Sequence, residues 1–364
     1  CCRHGLCSLK SMNLRILTRS FLLLLPLLSC LPLSAKIPIK VLVVSCFEIG
    51  EDTGDIPGEF QFWAEREKLD GTLDVPGASH PLRFNDKGLY GIVPGFDGHL
   101  NVSATSNLIM ALCLDPQLDL TKTYWLINGI AGIDPADGSI GSAVWSANVI
   151  DGDALREIDA REMPKSWSEG LFAIGTYEPG KLPEPVMGYT YSMNYPLNSM
   201  LAQWAYNQSK TVELFDTPEM ASFRKQYSDF PEAQKPPFVL LGDTLGAARY
   251  WHGPMRTQWA NDWVKLWTGG EGNFVTTAME HQNYMAALTL MAGKGYLDLD
   301  RVMMLRTASN YCMPPPGQGV ETTIGDESMG TLAAFEAAYR AGSVVIHELL
   351  ENWDKYADAP PGGI

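Results

Sequence analysis

Basic residues are scarce in this chain: Lys and Arg number 27 against 42 Asp and Glu, for a formal charge of -15. A surface of that sign repels a phosphate backbone and excludes nucleic acid as a partner. Cysteine is scarce too. Of seven, Cys1, Cys2, Cys7 and Cys30 lie in the first 35 residues, and Cys46, Cys113 and Cys312 remain, an odd and scattered set. They form no disulfide framework, although one disulfide is open to them. Beyond residue 35 no apolar run approaches the roughly 18 residues of a membrane helix, so the mature chain is expected to be soluble and free of spans. Also missing are a Gly-x-Gly-x-x-Gly turn, a Gly-Lys-Ser/Thr phosphate loop and a Gly-x-Ser-x-Gly nucleophile turn, so no nucleotide cofactor is implied. His80, His99, His252, His281 and His347 show no paired ligand spacing, and no metal is expected.

What is present is the composition of a folded chain with a sizeable core, 364 residues with 46% hydrophobic and 19% charged; disorder is not the default. Residues 12–35 read as a signal peptide. Met12-Asn-Leu-Arg15-Ile-Leu-Thr-Arg19 is a basic n-region, Phe21 to Leu33 an apolar h-region, and Leu33-Ser34-Ala35 a small-residue cleavage site. Residues 1–11 precede Met12 and read as upstream sequence. Export is the expectation, to the periplasm for a bacterial source or by secretion otherwise. Leu28-Ser29-Cys30 allows a lipoprotein reading, but Leu at the second position before cleavage makes it the weaker fit. Loss of residues 1–35 removes Arg3, Lys10, Arg15 and Arg19 and no acid, which takes the charge from -15 to -19. Asn101-Val-Ser103 and Asn207-Gln-Ser209 are sequons that matter only in a glycosylating host.

Residues 36–364 show no clear repeat or linker and are expected to form one α/β domain with strands alternating with helices. Lys40–Cys46, Tyr124–Ile127 and Phe238–Leu241 read as buried strands, the second broken by Asn128-Gly129-Ile130-Ala131-Gly132 and the third by Gly242-Asp243-Thr244. Ser103–Leu114 has helical spacing, as does the segment after Glu280, where Tyr284, Met285, Leu288, Met291 and Ala292 share a face and Gly293 and Gly295 supply the stop. That Met-rich stripe reads as core. A last helix from about Thr331 to Trp353 carries Leu332, Phe335, Val345, Leu349 and Leu350 on its apolar side. Prolines punctuate Ser146–Pro237, where entrance loops and a substrate-covering segment are expected.

Two segments carry the chemistry. Asn273-Phe-Val-Thr-Thr-Ala-Met279-Glu280 and Arg301-Val-Met-Met-Leu-Arg306-Thr-Ala-Ser-Asn310 each begin as a strand-like apolar run and then deliver polar residues. Open α/β sheets bind ligands at such strand ends. Residue by residue, blander readings stand beside this one. Glu280 suits a helix N-terminus. Arg306, inside an apolar run, needs a carboxylate, phosphate or carbonyl partner and could form a structural ion pair. Asn310 suits a turn before Pro314-Pro315-Pro316, and the aromatics of Arg249-Tyr250-Trp251-His252 suit packing or a lid as well as stacking on a ligand.

Taken in order, strands ending in Gly129-Ile130-Ala131-Gly132, in Gly242-Asp243-Thr244, in Met279-Glu280 and in Arg306-Thr-Ala-Ser-Asn310 resemble the purine nucleoside phosphorylase and nucleosidase fold family. Within it the chain is most similar to the group named purine nucleoside permeases, over nearly the whole mature chain, including Phe47–Trp63. The resemblance implies a three-layer nucleoside phosphorylase-like α/β fold with a central mixed β-sheet flanked by helices. It implies a purine nucleoside of the inosine, guanosine or adenosine class as partner. Glu280 then matches the acid that binds the ribose hydroxyls, with Met279 against the sugar. Asn310 matches the residue that binds the purine at N7 as it leaves with developing negative charge, and Asn there resembles the choice of enzymes favouring 6-oxopurines. Arg306 matches an Arg that organises the nucleophile side. Asp243 and Thr244 fall beside the base pocket, where Asp243 supports the loop through backbone contacts.

Two departures bear on the nucleophile. Ile130 stands in Gly129-Ile130-Ala131-Gly132 where many relatives carry Ser or Thr, although backbone N–H groups there could still bind phosphate or water. Cys46-Phe47-Glu48 replaces the Gly-rich phosphate loop, and Glu48, Glu51, Asp52 and Glu59 crowd the region. This resembles the nucleosidase branch, where a Glu activates water; Glu48 and Glu59 are the candidates, and a solvated acidic loop is the alternative. Inorganic phosphate stays open as a co-substrate. Two functions compete: an exported enzyme that cleaves purine nucleosides, and an exported nucleoside-binding protein that assists a separate transporter, since a chain without a spanning segment forms no path through lipid. A homo-oligomer is open, as relatives often assemble, but no interface stripe is readable.

Overall fold

The computed structural model describes residues 35–94, 103–185, 191–325 and 329–362. Residues 1–34, with Cys1, Cys2, Cys7, Cys30 and all but the last residue of the expected leader, and also His99 and Asn101, lie outside the described residues. Along the chain the apolar runs become β1 (Val41–Val44), then α1 (Gln61–Arg66), β2 (Gly71–Leu73), β3 (Leu82–Phe84), β4 (Leu89–Ile92) and α2 (Ser103–Leu114). Next come β5 (Tyr124–Ile133), β6 (Ala143–Trp145), β7 (Asn148–Asp151), β8 (Asn194–Pro196) and α3 (Ser199–Ser209). The last third holds β9 (Val239–Leu241), β10 (Asp243–Gly246), α4 (Pro254–Trp267), β11 (Phe274–Ala278), α5 (His281–Ala292), β12 (Val302–Tyr311) and α6 (Thr331–Glu351).

These twelve strands form one mixed sheet in the order β8-β7-β10-β11-β5-β1-β4-β3-β2, with β12 paired to β5 and β6, and β6 also to β9. The central strands are buried on both faces, and alternate residues serve opposite layers. Leu42, Val44, Trp125, Ile127, Val302 and Met304 pack with Leu108, Ile109 and Leu112 of α2 and with Tyr284, Met285, Leu288 and Met291 of α5. Val41, Val43, Tyr124, Leu126, Met303 and Leu305 pack with Trp63 of α1, Leu201 and Ala205 of α3, and Ala341, Val345 and Leu349 of α6. Helices on both faces of a mixed sheet make the three-layer α/β architecture. The Met residues of α5 are core, and its helix stops at Gly293, with Gly295 taking a left-handed φ of 81°.

Several expectations are corrected. Strand β5 is not broken at Asn128: it runs to Ile133, because β12 pairs with it in parallel along nearly its whole length. The strand after Phe238 bends at Gly242 and resumes as β10. Leu332 of α6 is exposed, since the core-facing positions of that helix begin at Ala333. Segment 146–237 holds β7, β8 and α3, besides an antiparallel pair, Leu155–Glu157 with Leu171–Ala173; none of its described residues lines the site cavity. Cys46, Cys113 and Cys312 are buried free thiols.

Candidate functional site

One edge of β5 changes partner partway along. Strand β1 pairs with Tyr124–Ile127, and β11 meets the same edge only at Ile133. Between them side chains take over the ladder: the Ile130 N–H donates to Glu59 Oε1 at 2.7 Å and the Gly132 N–H to Thr277 Oγ1 at 2.8 Å. A crevice where strand order switches is where such sheets hold ligands. A cavity of about 770 Å³ opens here, lined among others by Phe47, Glu59, Ile130, Tyr250, Met279, Glu280, Arg306 and Asn310. That volume suits a small organic ligand.

The two acids left open by the sequence separate. Glu48 is used up by backbone: Oε1 accepts from the N–H groups of Ile49 (2.8 Å) and Gly58, and Oε2 from Phe60 (2.8 Å) and Gln61 (2.6 Å). It folds the acidic loop onto the start of α1. Burial raises its carboxyl pKa, and those N–H groups draw it back down. Glu59 Oε2 accepts from the N–H groups of Cys46 (2.7 Å) and Phe47 (3.3 Å), while Oε1 faces Ile130. Burial pushes the Glu59 carboxyl up to about 8; Arg306 pulls it down, and Glu280 pushes it further up. Asp52 is paired with His80 Nδ1 (2.8 Å) and Arg83 Nε (2.6 Å), which anchors the loop at that point, while Glu51 and Asp55 beside it are exposed.

Arg306 and His281 form the buried wall. Arg306 lies on the face of β12 that carries Val302 and Met304 toward α5, whose first residue is His281. Its Nη1 donates to His281 Nδ1 at 3.1 Å, lies 3.6 Å from Cys46 Sγ and reaches Glu280 Oε2 at 3.7 Å. The same Nη1 lies 3.5 Å from His281 Nε2, and since a guanidinium only donates, the ring nitrogen it bonds is an acceptor. Burial, and then Arg306, hold the His281 pKa well below the usual range, so the ring is neutral. Burial, then Glu280 and Glu59, raise the Cys46 pKa well above the usual range and keep it a thiol. Donor atoms of Cys46, Glu280 and His281 lie within 4.8 Å of one another, the one such set among the described residues. Arg306 Nη1 lies within 3.7 Å of an atom of each of the three, so a guanidinium holds the place a cation would take. Glu280 stands at the N-cap of α5 without making a side-chain capping bond.

Asn310 reaches the cavity through a β-bulge. Ala308 pairs with Ala131 and Asn310 with Gly132, leaving Ser309 unmatched. The extra residue lets Arg306, Ser309 and Asn310 all line one cavity, which strict alternation would forbid. Asn310 Nδ2 donates to the Tyr311 carbonyl (3.0 Å), and Ser309 Oγ donates to Oδ1 (2.9 Å). A carbonyl cannot donate, so the amide orientation is determined. The second Nδ2 hydrogen is directed to Tyr250 Oη, 3.4 Å away.

Of the residues expected at a site, Glu48, Glu59, Ile130, Ala131, Gly132, Met279, Glu280, Arg306 and Asn310 line this cavity. Gly129, Asp243 and Thr244 do not. Gly129 lies behind Arg306 and leaves it room. The Asp243 carboxylate accepts from Asn148 N (2.9 Å), Asn148 Nδ2 (3.0 Å) and Asn273 N (2.9 Å), tying β7 and the start of β11 to β10. Thr244 is buried between Ser146 and Thr276 hydroxyls. The sequence reading missed His281 as a partner of Arg306, and Phe47, His80, Thr277 and Ser309 as lining residues; of these only His281 carried a signal, its place beside Glu280.

The model of the family described as purine nucleoside permease (NUP) matches residues 38–361. A protein of Schizosaccharomyces pombe named probable purine nucleoside permease is 32% identical over 260 residues, covering 69% of this chain and 74% of that one. The purine nucleoside permease of Candida albicans is 30% identical over 264 residues, which span 71% of this chain and 63% of the relative's length. Among solved structures, a futalosine hydrolase of Helicobacter pylori superposes with a TM-score of 0.49 at 10% identity over 85% of this chain and 98% of its own. A Streptococcus pneumoniae MTA/SAH nucleosidase gives a TM-score of 0.46 at 11% identity over 86% and 99%. On the family match and the two sequence relatives, this chain belongs to the purine nucleoside permease family.

Proposed function

We propose that this protein binds purine nucleosides in the β5–β12 cavity and cleaves their N-glycosidic bond. The observation that carries the reading is the convergence of Glu280, Met279, Arg306, Glu59 and Asn310 on one cavity of about 770 Å³. In this reading Glu280 accepts hydrogen bonds from the ribose hydroxyls, the stronger charge-assisted kind. Asn310 donates from Nδ2 to the purine once the ligand replaces the Tyr250 contact, stabilising negative charge on the departing base. Two carboxyl groups near the sugar favour the positive character that grows there. Among the described residues no helix is long and apolar enough to cross a membrane, and the leader expected from the sequence at residues 12–35 would direct the chain to external nucleosides ahead of their uptake. Incubation of purified protein with inosine tests the reading, with release of free base as the expected outcome. Saturable binding of inosine that stays intact would instead favour a binding protein that hands nucleosides to a transporter, the reading that the relatives' names suggest.

A further inference from the structure

We infer that Glu59 fills an anion cradle with its own carboxyl group and thereby makes water, not inorganic phosphate, the co-substrate. The inference rests on the cleavage reading above and goes on to name what attacks.

The cradle is built from two distant parts of the chain. The N–H groups of Cys46 and Phe47, from the turn after β1, and that of Ile130, from mid-β5, converge on the two Glu59 oxygens at 2.7, 3.3 and 2.7 Å. The Arg306 guanidinium completes the positive side: Arg306 Nη1 and Glu59 Oε1 both crowd the point where a Gly129 side chain would begin. Its Nε is buried and has no hydrogen-bond partner among the described residues. Converging backbone N–H groups beside a guanidinium are what an oxyanion such as phosphate requires. Here that place is taken by a side chain, in either of its protonation states. Phosphate could enter only by displacing Glu59 from three backbone donors, leaving a buried carboxyl unpaired near Glu280.

The same geometry equips Glu59 for the alternative. A carboxylate offers about four acceptor positions. Glu48 spends four on backbone N–H groups; Glu59 spends three and lines the cavity with one to spare. That position can take the proton of a water molecule. The water oxygen forms the bond to C1′ as the C1′–N9 bond breaks, and the electron pair of that bond leaves with the purine. Glu59 keeps the water proton until solvent removes it, and the released base takes a proton from solvent. Free ribose and free base result, with no oxidant or further reactant.

The test uses wild type, Glu59→Ala, which empties the cradle, and Glu59→Gln, which keeps its volume occupied although the amide nitrogen cannot accept from the backbone N–H it meets. Phosphate binding is read without nucleoside, by calorimetry and by thermal melting against matched chloride. Saturable binding and stabilisation are expected for Glu59→Ala only. With inosine, wild type should yield free ribose at a rate indifferent to phosphate, and Glu59→Gln should lose about a hundredfold or more of that rate. Ribose 1-phosphate from wild type would overturn the inference, as would a folded Glu59→Ala that ignores phosphate. Should Glu59→Ala fail to fold, the wild-type product decides. A wild type that cleaves nothing sinks the cleavage reading, whereas the phosphate-binding arm still judges the cradle.

Discussion

Replacing Gly129 by Ala probes the buried wall without removing any functional group. Gly129 lies in extended strand β5, so the backbone accepts a side chain and only space is at issue. An ideal Cβ there collides with Arg306 Nη1 and comes to 2.9 Å from Cys46 Sγ and 3.1 Å from Glu59 Oε1. Ordinary contacts begin near 3.5 Å, so the guanidinium must retreat by about 1 Å. It leaves its 3.1 Å bond to His281 and its 3.7 Å approach to Glu280. Overpacking of this kind costs about 1–3 kcal/mol of stability, and a misplacement of about 1 Å costs about a hundredfold in rate. The expected result is a folded protein that melts a few degrees lower and has lost about two orders of magnitude in kcat/KM for inosine. Activity within about threefold of wild type, with unchanged melting, would refute the placement of Arg306 against Gly129.

The rate of cleavage should climb tenfold per pH unit and level off above about 8, as Glu59 ionises. Arg306 and Glu280 face it as charges, while Cys46 stays a thiol and His281 neutral through that range, so neither masks the profile. The same shift acts on stability. Glu59 is raised from an ordinary 4.5 to about 8, so the folded chain holds a proton that the unfolded chain releases between those values. Stability contributed by this group therefore falls as pH rises across that window, by at most about 1.4 kcal/mol per pH unit, and melts of Glu59→Gln should lose that slope. Asp243→Ala leaves the part-buried Asn148 and Asn273 backbone N–H groups and the Asn148 amide without this acceptor. It should cost about 1–2 kcal/mol in denaturant melts and leave KM for inosine unchanged; a raised KM with normal stability would place Asp243 at the site.

Much of the fold was legible in period and composition. The runs at Val41–Val44, Phe274–Ala278 and Val302–Leu305 read as buried strands, and α2, α5 and α6 announced themselves by helical spacing, because each serves one layer and its apolar face is uniform. Glu280, Arg306 and Asn310 were legible because a polar residue after such a run has to have a purpose. What was hidden depended on partners far away in sequence. The Gly-Ile-Ala-Gly stretch reads as a break, yet it is strand, since β12 pairs one edge and Glu59 and Thr277 side chains bond the other. Nothing local distinguishes Glu48 from Glu59; which backbone donors each meets is decided by how the loop closes. The contact of His281 with Arg306 joins α5 to β12, and the bulge that turns Asn310 into the cavity leaves no mark in the residue pattern. Strands β7 and β8 are too short to show a period.

The most direct measurement is the kcat/KM for release of free base from inosine by wild type and by Glu280→Ala, with folding of both confirmed by melting. The account predicts base release by wild type and a loss of at least about tenfold in the variant, the worth of one charge-assisted hydrogen bond. Base release that survives in Glu280→Ala within about threefold, or none from wild type that binds inosine, would contradict it.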